Sequence, residues 1–171
     1  MPWSGLMEET TPGNLAKRYT DQFGLISLPQ LAAQTPEIIG AARLSVHICF
    51  QPERASTLLF APSHMIVEVA GSVKIPHDQM TIAPVSVHLG YDSYPETMID
   101  WATLREFAWK LESCHHLLYD CRCLEHEVSD GTETKTVTWL NPNWLDNPKE
   151  MYLIDEYARL IKRANLEHLL D

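Results

Sequence analysis

The sequence predicts an α+β fold with a mainly antiparallel sheet of four to six strands, and three observations lead there. Between Arg43 and Tyr91 apolar residues recur at every second position, the period of a half-buried strand. Around Trp101, and again beyond Lys149, apolar residues fall three or four apart, the period of an amphipathic helix. Short polar connections join the alternating runs directly, without the intervening helices that a parallel sheet requires.

The first 40 residues are helical material with many breaks. Asn14 to Phe23 forms a short helix that stops at Gly24, and Leu28 to Ala33 a second, ended by Thr35-Pro36. This segment, 1–40, is expected to pack as an N-terminal arm on a body formed by 41–171, the whole being one domain. In the body, Leu44, Val46, Ile48 and Phe50 alternate with Ser45, His47, Cys49 and Gln51 before Pro52. Thr57 to Ala61 is a short apolar strand. Met65 to Ile75 alternates again, Pro76-His77-Asp78 has turn chemistry, and Val85 to Tyr91 closes an antiparallel meander.

Pro95 suits the first turn of a helix whose stripe is Trp101, Leu104, Ala108 and Leu111. Leu118 to Val128 and Lys135 to Leu140 flank Ser129-Asp130-Gly131-Thr132, a hairpin whose Asp-Gly supplies the turn. A loop of two Asn-Pro pairs carries Trp144. The last helix spans about Lys149 to Leu170, with Met151, Ile154, Ala158 and Ile161 as its stripe and Leu153, Tyr157, Leu160 and Ala164 widening it. The two longer helices are expected on one face of the sheet.

Charge restricts the partners. The 171 residues hold 13 Lys and Arg against 23 Asp and Glu, a net of −10. The excess is concentrated: 5 basic against 14 acidic residues lie between 91 and 156. Such a surface repels phosphate backbones and anionic bilayers, so neither nucleic acid nor a membrane is an expected partner. No run of 18 apolar residues appears. The first residues, with Glu8 and Glu9, lack the basic and apolar regions of a secretory signal, and four unpaired-looking cysteines suit a reducing compartment. A cytoplasmic location is the expectation. The leading functional expectation is a non-enzymatic interaction module that meets a basic protein partner or a second copy of itself.

The alternative is a small-molecule or metal-binding domain, or an enzyme, with its pocket on the sheet. If Val46, Val67 and Val87 face the core, then His47, Glu68 and His88 point the other way, together with Ser45, Ser72 and Ser86. Two imidazoles and a carboxylate at matching height would hold a metal or form a base with its orienting acid. The candidate ligand-binding residues are therefore His47, Glu68, Ser86 and His88, although Ser, His and Glu are ordinary on a half-wet sheet face. Cys114, His115, His116, Cys121, Cys123 and His126 form a second cluster. Its spacing is poor for zinc: one residue separates Cys121 from Cys123, and His126 has the opposite strand parity. Neither a resident metal nor a cofactor is expected. Gly-rich phosphate loops and the usual nucleophile and zinc motifs are absent. Trp109, off its helix stripe, and Trp144 are the candidate interface anchors.

Overall fold

The alternation between Arg43 and Tyr91 resolves into four antiparallel strands in the computed structural model, which describes residues 14–34, 36–48, 51–75, 78–93, 99–115, 122–140 and 147–170. In chain order the elements are α1 (Asn14–Phe23), α2 (Leu28–Ala33), β1 (Gly40–Ile48), β2 (Arg54–Phe60), β3 (His64–Ile75), β4 (Asp78–Gly90), α3 (Trp101–Trp109), β5 (Cys114–His115), β6 (Arg122–Ser129), β7 (Thr134–Leu140) and α4 (Pro148–Arg163). The strand order is β4-β3-β2-β1-β6-β7-β5. Six strands pair antiparallel, as the sequence predicts, and the two-residue β5 adds a parallel pairing against β7. The fold is α+β with a mainly antiparallel sheet.

Strand parity decides what each face carries. Ala42, Leu44 and Val46 of β1 share one face with Leu58 and Phe60 of β2, Met65, Val67 and Val69 of β3, and Leu124 and Val128 of β6. On this apolar face α3 contributes Leu104 and Ala108, and α4 contributes Leu153, Tyr157, Leu160 and Ile161, to one continuous core. The N-terminal arm takes the other face. Leu15, Tyr19 and Phe23 of α1 pack on Ala55, Ala70 and Cys123, while Leu28 and Ala32 of α2 pack on Ala41. The result is helix, sheet and helix in three layers.

Local chemistry sets the helix ends. Gly24 (φ 65°) ends α1, and the Leu25 amide donates back to the Thr20 carbonyl at 2.9 Å. Asp100 caps α3 by accepting from the Thr103 amide at 2.7 Å. The predicted last helix, about Lys149 to Leu170, ends earlier, at Arg163, because Asn165 adopts φ 59°. The amides of Asn165 and Leu166 then donate to Lys162 and Ile161, a Schellman closure, and a 3-10 turn (Glu167–Leu170) follows.

The buried side of α4 also differs from the predicted stripe. Leu153, Tyr157, Leu160, Ile161 and Ala164 are buried, whereas Met151 and Ala158 are exposed and Ile154 is half-buried. The apolar arc is wider than one contact with a sheet can cover. The flank that widens it touches the strands together with Ile161, and the rest of the predicted stripe, Met151, Ile154 and Ala158, overhangs.

Gly40 permits the seating of α3. A Cβ there would overlap the Trp101 indole, which lies against Phe60 with ring centroids 5.4 Å apart. The Gly40→Ala variant is expected to lose about 2 kcal/mol of stability, a typical overpacking penalty, measured by urea denaturation with tryptophan fluorescence. An unchanged midpoint would show that the indole can move aside.

Candidate functional site

The face carrying the predicted polar residues is built in rows across the strands. Directly opposite partners give one row that runs Ser86, Glu68, Thr57, Arg43, Glu127, Thr136. Glu68 and Ser86 are therefore immediate neighbours. His88 lies two residues to one side of this row on β4, and His47 four residues to the other side on β1. Their separation is thus about 20 Å along the strands, with three strand spacings between them as well. His47, Glu68, Ser86 and His88 share a face, but the structure does not bring the two imidazoles together.

Each imidazole has a different partner. His47 Nδ1 lies 3.1 Å from the Glu53 carboxylate, which also accepts from Arg18 Nη2 at 3.0 Å and Gln22 Nε2 at 3.0 Å. The hydrogen bond from His47 leads in holding the Glu53 carboxyl below its usual range, against the effect of burial, and Arg18 adds to it. Tyr19 donates to the Val46 carbonyl at 2.7 Å. These contacts fasten α1 to the ends of β1 and β2. His88 instead stacks on His64, with centroids 5.3 Å apart. Burial pushes the Glu68 carboxyl up, and Arg43 opposes the shift.

The cysteine and histidine cluster is divided by the sheet. Cys123 lies under α1 with its thiol pushed up to about 12, chiefly by burial, while His126 lies in the core on the other side. Cys114 is in β5, and His116 and Cys121 lie outside the described residues. Among the described residues no three His, Cys, Asp or Glu side chains gather as metal ligands. Trp109 is half-buried, with the Arg105 guanidinium 5.3 Å from its ring centroid and its carbonyl accepting from Lys135 Nζ. Trp144 lies outside the described residues.

A groove of about 540 Å³ opens on the apolar face, between α4 and the ends of β1, β2 and β6. Leu44, Val46 and Ile48 form its floor with Leu124, and Met151, Ile154, Ala158 and Ile161 overhang it from α4. The predicted stripe of α4 thus lines the roof of this groove, with Ile161 shared between roof and core. Two small residues, Ser56 and Ala158, stand where larger ones would occupy the space. Arg54, Arg122, Lys162 and Glu167 supply its charged groups.

Register explains how distant residues meet there. Arg54 is directly opposite Val46, Arg122 opposite Ile48, and Leu124 opposite Val46. Gly71 allows the close approach that sets Arg54: a Cβ there would overlap the Glu53 carbonyl and sit 3.2 Å from Arg54 Cα. The Schellman closure of α4 turns the chain so that Glu167 joins Lys162. Behind the roof, the Tyr157 hydroxyl shares a 2.8 Å hydrogen bond with His126 Nε2, and the imidazole stacks on Trp139. Burial lowers the His126 pKa to about 3 and raises that of Tyr157 well above its ordinary value. The pair is held neutral, which suits packing behind an apolar wall. The arrangement offers shape, apolar surface and positive charge. Among the described residues no helix is long and apolar enough to cross a membrane. Compared with known proteins, the chain matches no protein-family model and no curated sequence.

Proposed function

We propose that the protein is a non-enzymatic binding module whose ligand lies in the groove between α4 and the ends of β1, β2 and β6. The observation that carries this reading is the wall itself, where, among the described residues, eight aliphatic or thioether side chains from three elements line one opening of about 540 Å³. That volume falls in the range of roughly 300–1,000 Å³ common to small-molecule sites, which are mostly apolar with a few placed polar groups. The concentration of acidic residues between 91 and 156 supports a cationic protein partner only as a bulk property of charge. The groove adds defined shape and lining.

The test is a titration with Nile red, an uncharged dye whose emission rises in apolar surroundings. Saturable binding with one dye per chain is expected. The Ala158→Trp variant should weaken it at least about tenfold, because the indole would enter the opening from an exposed helix position while the fold is kept. Thermal unfolding of the variant at the wild-type midpoint confirms the fold. A variant that stays folded and binds the dye as tightly as wild type would overturn the proposal.

A further inference from the structure

We infer that the groove selects a single-chain alkyl carboxylate, with the hydrocarbon along the floor and the anionic head between Arg54 and Lys162. The inference rests on the binding-module reading above and adds the chemistry of the ligand. Its first support is the charge at the opening. The chain carries 23 acidic and 13 basic residues, yet among the described residues three basic side chains and one acidic side chain line this groove. A local excess of positive charge in so acidic a protein attracts an anion against the general field. Among the described residues, neither Arg54 nor Lys162 is engaged in an ion pair. Both are available to a carboxylate, and Arg54 presents the planar fork that pairs with one.

The second support is what the floor lacks. β1 lies in the interior of the sheet and is hydrogen-bonded to β2 on one side and β6 on the other. Its backbone donors and acceptors are already used in the ladders. An extended peptide laid on this floor would bury its own amides without partners, which is costly. An alkyl chain has no polar groups to satisfy. The roof from Met151 to Lys162 runs about 16 Å along the helix axis, so an extended chain can lie beneath it for its length. The volume also favours one acyl chain over the two of a bilayer phospholipid.

The test uses the full chain with Nile red bound and compares displacement by palmitate, hexadecanol and hexadecylamine, which differ only at the head. Palmitate is expected to displace the dye at a concentration at least about tenfold below that of hexadecanol, with the advantage shrinking at high salt. The Arg54→Gln and Lys162→Gln double variant should lose the advantage and keep the affinity for hexadecanol. Should palmitate and hexadecanol compete equally, or the amine compete best, the head-group inference is overturned and the groove reading stands. Failure of all three to displace a dye that does bind excludes an alkyl ligand. Failure of the dye itself to bind wild type removes the groove reading beneath both. Competition by phosphatidylglycerol vesicles but not by free palmitate would assign the charge to a membrane surface and overturn the inference as well.

Discussion

Replacing Arg43 with methionine is expected to cost about 3–5 kcal/mol of stability, the range measured when one partner of a buried charge arrangement is removed. For a chain of this size that is a fall in Tm on the order of 10 °C. Arg43 is 1% exposed and sits in the middle of the polar row. Its Nε donates to Thr57 Oγ1 at 2.8 Å, and one Nη donates to the Ile26 carbonyl at 3.0 Å. It therefore ties the connection between α1 and α2 to the sheet. It also faces two carboxylates, Glu68 and Glu127, both of whose pKa values are raised by burial and lowered in part by this guanidinium.

Without the countercharge, the Glu127 carboxyl in the fold should take up a proton more readily than in the unfolded chain. Stability then falls as pH rises, so the penalty of Arg43→Met should be larger at pH 8 than at pH 5. Adding Glu127→Gln should recover part of the loss, and a double-mutant cycle in urea measures how much. An Arg43→Met protein within about 0.5 kcal/mol of wild type would show that the row is held by packing alone.

Acid should destabilise the protein well above the pH at which ordinary carboxylates titrate, and His126 is the reason. The imidazole is fully buried, shares its Nε2 with Tyr157 and stacks on Trp139. Its folded pKa, lowered to about 3 by burial, lies below the value near 6.5 expected of the unfolded chain. The unfolded state therefore binds the proton first. The stabilisation is fully present above about pH 6.5 and is lost as pH falls toward 3, at roughly 1.4 kcal/mol per pH unit. Between pH 6.5 and 5 the expected loss is about 2 kcal/mol.

The carboxylates pull both ways in this comparison. Glu53, whose pKa is lowered, also loses stabilisation on acidification, whereas Glu68 and Glu127, whose values are raised, gain it. The His126→Gln variant retains a partner for the Tyr157 hydroxyl but cannot titrate, so the wild-type minus variant difference isolates the imidazole. Equal slopes in the two proteins between pH 6.5 and 5 would rule out the assignment.

Much of the local architecture is legible because it is governed by near neighbours in the chain. Gly24 and the Leu28-Pro29 start mark α1 and α2, and alternation places Val46, Val67 and Val87 on one face and His47, Glu68 and His88 on the other. What parity cannot carry is height along the strands. That depends on register, and register depends on turns such as 61–63 and on the pairing of β1 with β6, more than 70 positions away. The same nonlocal pairing brings Arg122 to the groove that Arg54 and Lys162 also line, so no local motif announces it. The orientation of α4 was hidden for a different reason. Both flanks of its arc are apolar, and only contact with the sheet decides which becomes core. An arc too wide for a single contact is the one signal in the sequence that space is left over.

The irregularity at the outermost strand has a consequence for how this molecule meets its own kind. Val69 is opposite Val85, but Gly71 is opposite Ile82, so Ala83 and Pro84 together face the single residue Ala70. Pro84 brings no amide hydrogen to the rim, and the extra residue bends the backbone there. A neighbouring chain seeking to append a strand to β4 would find an interrupted template. The interruption works against growth toward a fibril along this margin.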